Sequence, residues 1–192
     1  MTDGREDGVG GPLRIDRLSL PGGAVIGLCH CPGRNGRDAA GGRRRARSLA
    51  DDLAAIRAWP SAMLVSLIEE REFACLGVAG LGQAAEAAGL AWCHLPIADM
   101  QPPGDDFEQA WPGWSERIDR VFRRGERIVL HCAGGLGRSG TVTALLLIDR
   151  GVPALDAMKL VRAARPGAIE TASQEEYLLQ YGRKACADRD GL

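Results

Sequence analysis

Several features are absent from this sequence, and each absence narrows the class of protein. No apolar run approaches the roughly 20 residues that a membrane-crossing helix needs, so no membrane partner is expected. Residues 1–11 are polar and glycine-rich, and they have neither the basic nor the apolar region of an export signal. We therefore expect a cytoplasmic protein in which residues 1–12 form a disordered lead-in.

Patterns for metal and nucleic-acid binding are also missing. The chain has only three histidines, and Cys29-His30-Cys31 lacks the second ligand pair of a zinc finger. Six cysteines could suggest disulfides, but several lie within apolar runs, so reduced thiols are the better interpretation. The net charge of −1 gives no support for a nucleic-acid partner. We expect no metal and no cofactor.

Positive charge is present but unevenly distributed. Six arginines fall within one glycine-containing stretch, 34–47, opposed only by Asp38; they are Arg34, Arg37, Arg43, Arg44, Arg45 and Arg47. One interpretation is a solvated, mobile loop, and the other is an electrostatic guide for phosphorylated partners. The high ratio of arginine to lysine and the alanine-rich helices are typical of a GC-rich bacterial genome.

The length of 192 residues suits one well-buried domain, which we place at 13–187 with a tail at 188–192. Short apolar runs predict strands at 13–20, 24–28, 62–68, 91–97 and 127–131. Helical spacing and caps predict helices at 48–59, 83–88 and 114–124, a fourth from the glycine-rich loop to 151, and two more at 153–165 and 173–185. This alternation predicts an α/β fold in which a mostly parallel central sheet of about five strands has helices on both faces.

The most informative stretch joins the strand at 127–131 to the helix after it through a glycine-rich loop. The loop residues are Cys132, Ala133, Gly134, Gly135, Leu136, Gly137 and Arg138. Glycines let such a loop curl its N–H groups around one small anion, and the helix start adds donors and partial positive charge. These features favour a phosphate- or sulfate-type anion and the nucleophilic thiolate form of Cys132.

The chain contains a second Cys-x5-Arg match, so the spacing alone does not identify the nucleophile. His30-Cys31 and Arg37 repeat the histidine, the cysteine and the arginine of the loop. However, Asp38 and further glycines and arginines follow Arg37, without an apolar helix face. The context therefore favours Cys132 as the nucleophile.

At this point the chain resembles a known family. His131-Cys132, Arg138 and Ser139-Gly140 form the signature of the cysteine-dependent protein tyrosine and dual-specificity phosphatases, and the wider match is similar to the kinase-associated phosphatase (cyclin-dependent kinase inhibitor 3-like) group. The further matching stretches are Cys31-Pro32-Gly33, Leu95-Pro96-Ile97-Ala98-Asp99, Gly134 to Ser139, and Ala168-Ile169-Glu170-Thr171 with Gln174. The resemblance spans roughly 13–187 and implies a protein-tyrosine-phosphatase-like fold in which Cys31-Pro32-Gly33 is a structural turn.

The resemblance also implies a two-step displacement at phosphorus. The Cys132 thiolate attacks and forms a phosphocysteine, which water then hydrolyses. Arg138 grips two phosphate oxygens through its fork, and Ser139 can donate to the sulfur. The alternative role of Ser139 is that of a helix-start residue, and the two roles are compatible. The implied acid is Asp99, in the pattern Leu-Pro-Ile-x-Asp. Its rivals, Asp105 and Asp106, are more simply N-caps of the next helix.

Two supporting residues remain open to alternatives. Gln174 matches the family glutamine that positions the hydrolytic water, but Thr-x-x-Gln also makes it a capping-box partner of Thr171. A competing box from Ser173 would start the helix at Ser173 and free Gln174 to point inward. His131 is expected to orient the loop through hydrogen bonds rather than to act as a base.

The expected substrate is a phosphorylated protein or peptide. Residues 133–137 of the loop have no lysine or arginine for additional phosphates, so polyphosphoinositides are less expected. Two alternatives from other classes are a rhodanese-like sulfurtransferase, which does not need the aspartate loop, and a non-catalytic phospho-binding module.

Overall fold

The computed structural model describes residues 12–34 and 47–190, which contain five strands and seven α-helices. The strands are β1 (Asp16–Ser19), β2 (Val25–His30), β3 (Ser61–Ser66), β4 (Ala91–His94) and β5 (Arg127–Cys132). The helices are α1 (Leu49–Ala58), α2 (Glu70–Cys75), α3 (Leu81–Ala87), α4 (Asp105–Arg123), α5 (Gly137–Asp149), α6 (Ala154–Ala164) and α7 (Ala172–Asp190). A 3₁₀ turn, Pro21–Gly23, joins β1 to β2.

The strands form one sheet in the order β1-β2-β5-β3-β4. Only β1 runs antiparallel to its neighbour, and helices lie on both sides of the sheet, so the predicted α/β class is confirmed. β5 is the central strand in this order, and nearly all of its side chains are buried, as expected for a parallel strand covered on both faces. Its carboxyl end therefore lies between the ends of β2 and β3, where ligands of such sheets bind.

Strands β1 and β4 are about half as long as their apolar patterns predicted. β1 covers only four residues of the predicted 13–20, since the antiparallel ladder with β2 runs from Asp16 to Ser19. β4 ends at His94 rather than at Ile97, and Pro96, which lacks an N–H, follows soon after. The chain still runs beside the end of β3 beyond this point, because the Leu95 N–H donates to the Ser66 carbonyl at 2.9 Å and the Ile97 N–H donates to the Leu67 carbonyl at 3.1 Å.

Helix α2 was not predicted from the sequence. Glu69 and Glu70 directly follow the third predicted strand, 62–68, and they begin a helix through a reciprocal cap between Glu69 and Glu72. The Glu69 N–H donates to Glu72 at 2.7 Å, and Phe73 is buried under the helix. A glutamate is a poor N-cap compared with Ser, Thr, Asp or Asn, which is why the start signal was weak.

Helix α4 begins immediately after the loop that follows β4. Its N-cap is Gly104, so the assignment of Asp105 and Asp106 as N-caps was wrong. Both carboxylates lie in the first helical turn instead, where their negative charge interacts favourably with the positive end of the helix dipole.

Helix α5 is buried along almost its whole length, and every residue from Gly137 to Ile148 lies inside the protein. It packs on β5 and β2 and is covered by α6 and α7. The Ala168–Ile169 segment packs closely against Gly140, where an added Cβ would lie 2.9 Å from the Ile169 nitrogen. The packing therefore fixes the start of α5 at the end of the glycine-rich loop.

The remaining predictions concern cysteines, membrane segments and the arginine stretch. All six cysteines are free thiols, and four of them are buried. None of the helices in the described part of the chain has the length and apolar character of a membrane span. Arg37, Arg43, Arg44 and Arg45 lie outside the described residues, whereas Arg34 and Arg47, at the two ends of that stretch, are described.

Candidate active site

The glycine-rich loop lies at the carboxyl end of β5, directly against β2. Cys132 is only 3% exposed, and its Sγ accepts the Gly135 N–H at 3.1 Å. Gly135 has φ +72°, and a Cβ there would lie 2.2 Å from the Cys29 carbonyl oxygen. Only glycine fits this position, and it allows the loop to curl its backbone N–H groups toward the thiol.

Arg165 clamps the outside of the loop, a role that the sequence did not reveal. Its Nε donates to the Gly135 carbonyl at 2.5 Å and its Nη2 to the Gly134 carbonyl at 2.9 Å. Its Nη1 pairs with Asp16 of β1 at 2.5 Å, and the residue is 5% exposed. The sequence had marked Arg165 only as the end of a helix. Because Arg165 binds these two carbonyls on the outer side of the loop, the backbone N–H donors are left on the inner side.

Cys31, the rival cysteine, lies beside the loop but in a closed environment. Its N–H donates to the Ala133 carbonyl at 3.2 Å, and Arg34 donates to the same oxygen at 3.0 Å. Burial raises the pKa of the Cys31 thiol to about 12, so it stays protonated near neutral pH. Among residues 31–34, which the structure describes, the donors bond to the protein and support the loop.

Arg138 lies at the start of α5 with one edge of its guanidinium already engaged. Nη1 and Nη2 both donate to Glu72, at 2.5 and 2.9 Å, and Nη1 also donates to the Ile97 carbonyl at 3.1 Å. No described residue accepts a hydrogen bond from Nε. Burial by itself raises the pKa of Glu72, but hydrogen bonds from Arg138 and the Glu69 backbone outweigh it and hold that pKa below its usual value. The Nε–Nη2 edge therefore remains for a phosphate.

Asp99 lies at the mouth of the site. Its Oδ1 is 2.9 Å from Arg138 Nη2, while 61% of its side chain remains exposed. Its backbone N–H donates to Glu69 at 3.4 Å, which places the loop against α2. Within residues 47–190, Asp105 and Asp106 make no ion pair with Arg138. Of the three candidate aspartates, the fold brings Asp99 to the guanidinium.

Ser139 is fully buried in the first turn of α5. Its Oγ is the one buried side-chain oxygen or nitrogen that finds no hydrogen-bond partner within the described residues. Such an orphaned hydroxyl is unfavourable unless something else accepts its proton. Its carbonyl accepts from Thr143 Oγ1 at 2.8 Å, so the helix geometry around it is regular.

His131 belongs to a buried chain of hydrogen bonds. Its Nδ1 lies 3.3 Å from the Cys132 carbonyl, and its Nε2 lies 2.6 Å from Ser66 Oγ, which accepts the Trp92 indole N–H at 2.9 Å. Burial lowers the pKa of His131 to about 4. The neutral ring must carry its proton on Nδ1, because a carbonyl only accepts, so Ser66 donates to Nε2. Ser66 and Trp92 had no sequence signal, since both lie inside apolar strands.

Gln174 satisfies both of its alternative descriptions. Its N–H donates to Thr171 Oγ1 at 3.2 Å and its Oε1 accepts the Thr171 N–H at 3.4 Å, which is the Thr171 capping box. Helix α7 accordingly begins at Ala172 and not at Ser173. The side chain is nevertheless fully buried, and its Nε2 donates to the Gln101 carbonyl at 3.1 Å. Capping and an inward position were wrongly treated as exclusive.

A metal centre is not indicated in the portion of the chain that the structure describes. There, no group of three or more histidine, cysteine, aspartate or glutamate side chains could hold an ion. The groups that meet at the loop are a thiol, a guanidinium and a carboxylate, which suit phosphate chemistry.

Comparison with known proteins agrees with this geometry. Residues 39–152, more than half of the chain, match the family Tc-R-P, described as a polymorphic toxin system DSP-PTPase phosphatase. The chain belongs to this phosphatase family. It is thus a cysteine-dependent phosphatase of the protein tyrosine and dual-specificity class, as its signature predicted, and a rhodanese-type sulfurtransferase is not favoured.

Individual relatives of this phosphatase agree with the family. Cyclin-dependent kinase inhibitor 3 of Mus musculus is 28% identical, over 94% of this chain and 85% of the relative. Protein tyrosine phosphatase type IVA 3 of Homo sapiens is 35% identical, over 52% of this chain and 56% of the relative. The crystal structure of kinase-associated phosphatase, with a serine at its catalytic-site cysteine, is 26% identical and has a TM-score of 0.81 over 93% of this chain and 98% of that chain.

Proposed function

We propose that this phosphatase removes phosphate from phosphotyrosine, and also from phosphoserine or phosphothreonine, on proteins, with Cys132 as its nucleophile. The observation that carries the proposal is the meeting of Asp99 Oδ1 and Arg138 Nη2 at 2.9 Å, above a loop whose Gly135 N–H bonds the Cys132 sulfur. Acid, cation and nucleophile come from three separate elements, so their convergence is a property of the fold.

In the first step the Cys132 thiolate attacks phosphorus and the ester P–O bond breaks. Loop N–H groups and the Nε–Nη2 edge of Arg138 hold the phosphate oxygens, and the phosphate takes the place of Asp99 on Nη2. Asp99 gives its proton to the departing phenolate or alkoxide oxygen. The products of this step are the free hydroxyl side chain and a phosphocysteine.

In the second step a water molecule attacks the phosphocysteine and the S–P bond breaks. Asp99, now ionised, accepts the proton of the water, and inorganic phosphate leaves. The orphaned hydroxyl of Ser139 suits a hydrogen bond to the departing thiolate. Gln174, buried and bonded to the Gln101 carbonyl beside the acid loop, suits a role in positioning that water.

The choice of protein over phospholipid substrates rests on the interior of the loop. Residues 133–137 provide backbone donors but no lysine or arginine side chain for a second phosphate group. A single monoester is matched by one guanidinium, whereas a polyphosphorylated headgroup needs more positive charge. We place the active phosphatase in the cytoplasm, where reduced Cys132 and phosphoproteins coexist.

Two measurements test the proposal. Wild-type protein should release p-nitrophenol from p-nitrophenyl phosphate, and rapid acid quenching should trap a phosphate adduct that mass spectrometry locates on Cys132. The Asp99→Ala variant should retain phosphopeptide in a pull-down while turning it over slowly. If wild-type protein binds phosphopeptide but releases no phosphate from any monoester, the chain is a phospho-binding module and the proposal is wrong.

A further inference from the structure

The Glu170 carboxylate accepts a hydrogen bond from the backbone of the glycine-rich loop. Its Oε2 accepts the Gly137 N–H at 2.7 Å, and a Cβ added at Gly137 would lie 2.7 Å from the same oxygen. Gly137 directly precedes Arg138 and is the first residue of α5. N–H groups at such a helix start are the donors that bind phosphate oxygens. The Glu170 carboxylate therefore occupies a donor that a substrate phosphate would use.

The backbone around Glu170 is tethered to the site. The Ile169 N–H donates to the Leu136 carbonyl at 3.3 Å, and Arg162 donates to the Ile169 carbonyl at 2.9 Å. The Glu170 N–H itself donates to Gln174 Oε1 at 3.0 Å. The side chain, in contrast, is exposed. The carboxylate can thus swing away from the Gly137 donor, but it cannot leave the mouth of the loop.

Phosphate binding must leave this carboxylate without a partner. A phosphate dianion and a carboxylate repel each other over the few ångströms that would separate them. No described residue forms an ion pair with Glu170, and Arg162, which bonds the neighbouring carbonyl, pairs with Glu175. A positive charge on the substrate, next to the phosphorylated side chain, would offset the displaced negative charge.

We infer that Glu170 is a specificity-determining residue that favours phosphopeptides with Arg or Lys adjacent to the phosphorylated residue and disfavours those with Asp or Glu there. The inference rests on the proposed function, because it needs phosphate in the loop. One exposed charge pair changes an affinity by up to about fivefold. Since replacing Arg by Glu converts attraction into repulsion, kcat/KM should fall by about tenfold.

The test uses three phosphotyrosine peptides that differ only in the residue after the phosphotyrosine, which is Arg, Ala or Glu. Wild-type protein should show kcat/KM in the order Arg, Ala, Glu, and Glu170→Gln, which keeps an oxygen acceptor for Gly137, should bring the three within about twofold. Glu126→Gln is the matched control, because Glu126 lies just before the amino end of β5, whereas Cys132 lies at its carboxyl end. It should keep the wild-type order. Equal values in wild-type protein, or an unchanged order in Glu170→Gln, overturn the inference.

Inhibition by inorganic phosphate provides a second measurement that needs no peptide. Glu170→Gln should lower the inhibition constant of phosphate about fivefold, because the neutral amide does not repel the phosphate as the carboxylate does. An unchanged constant contradicts the inference. Hydrolysis of p-nitrophenyl phosphate by wild-type protein separates the two claims. If it occurs and requires Cys132 while the peptide order does not depend on Glu170, only the inference fails; if it does not occur, both fail.

Discussion

Two cysteines lie at the ends of neighbouring parallel strands, and only one of them faces an open anion site. Cys31 follows β2, Cys132 ends β5, and each comes directly after a histidine. After Cys132 the loop turns the Gly135 N–H toward the sulfur and leads into α5. After Cys31 the chain makes a turn whose donors are used internally, including the Cys31 N–H on the Ala133 carbonyl.

The difference shows that a motif needs donors that a phosphate can reach as well as the right spacing. In the Cys31 turn the Gly33 N–H donates to Asp52 at 2.8 Å, and Asp52 also pairs with Arg47 at 2.7 Å. This buried and ion-paired carboxylate keeps the Gly33 donor, whereas the carboxylate on the Gly137 donor, that of Glu170, is exposed. A buried thiol with a pKa of about 12 lies beside Asp52. The turn at Cys31 is a support for the active loop, and the two regions work as one unit.

The largest effect should separate the two cysteines directly. Cys132→Ser should reduce hydrolysis of p-nitrophenyl phosphate by more than about 1000-fold, because a serine hydroxyl is not ionised as the thiol can be. Cys31→Ser should retain activity within about fivefold. A phosphate-release assay on both variants checks this, with circular dichroism to show that both are folded. Comparable losses in the two variants would contradict the distinction.

The next effect concerns the acid that the fold brings to the open site. Asp99→Asn should lower kcat about 100-fold with aryl or alkyl phosphates, because the leaving oxygen then departs without a proton. Asp105→Asn removes the same charge from the first turn of α4 and should change kcat less than twofold. Steady-state kinetics measure both. If Asp105→Asn is the slower variant, the acid has been assigned to the wrong aspartate.

The histidine before Cys132 should make stability depend on pH. Since burial lowers the pKa of His131 to about 4, the unfolded chain binds its proton more tightly, and this contribution to stability is lost as pH falls from about 6.5 towards 4. The loss is on the order of 3 kcal/mol.

Urea unfolding at pH 7 and pH 4.5 measures this dependence. The drop in the free energy of unfolding should be smaller in His131→Asn, an amide that can still donate to the Cys132 carbonyl, than in wild-type protein or in Glu126→Gln. An equal drop in all three proteins means that other groups cause it.

The smallest effect should come from the contact between the two regions. Arg34→Gln removes one of the two donors to the Ala133 carbonyl and should lower kcat/KM by about two- to fivefold, since one hydrogen bond contributes about 1 kcal/mol. Arg124→Gln, an exposed arginine that pairs only with Glu126 among the described residues, is the control and should leave kcat/KM unchanged. Identical kinetics in both variants would mean that the Cys31 turn does not support the loop.

Much of the site was predictable because its parts are contiguous in sequence. Cys132, the glycines and Arg138 lie within seven residues, and periodicity identified the strand before them and the helix after them. The loop that holds Asp99 could be singled out only through the family resemblance, and the caps at Asp105 and Asp106 were misassigned because Gly104 has no side-chain signal. Helix α2 escaped because a six-residue helix has little periodicity.

The sequence alone determined the order of the elements, the anion loop and the cysteine that serves it, because these follow from local backbone freedom and short-range apolar spacing. The tertiary structure decided which charges meet there. Glu72 contacts Arg138 from 66 residues away, and Arg165 contacts Gly135 from 30. Such contacts depend on the crossing of strands and helices, and residue spacing along the chain contains no trace of them. The hydrogen bond from the Gly137 N–H to the Glu170 carboxylate is the same kind of contact, because it joins the start of α5 to the segment just before α7.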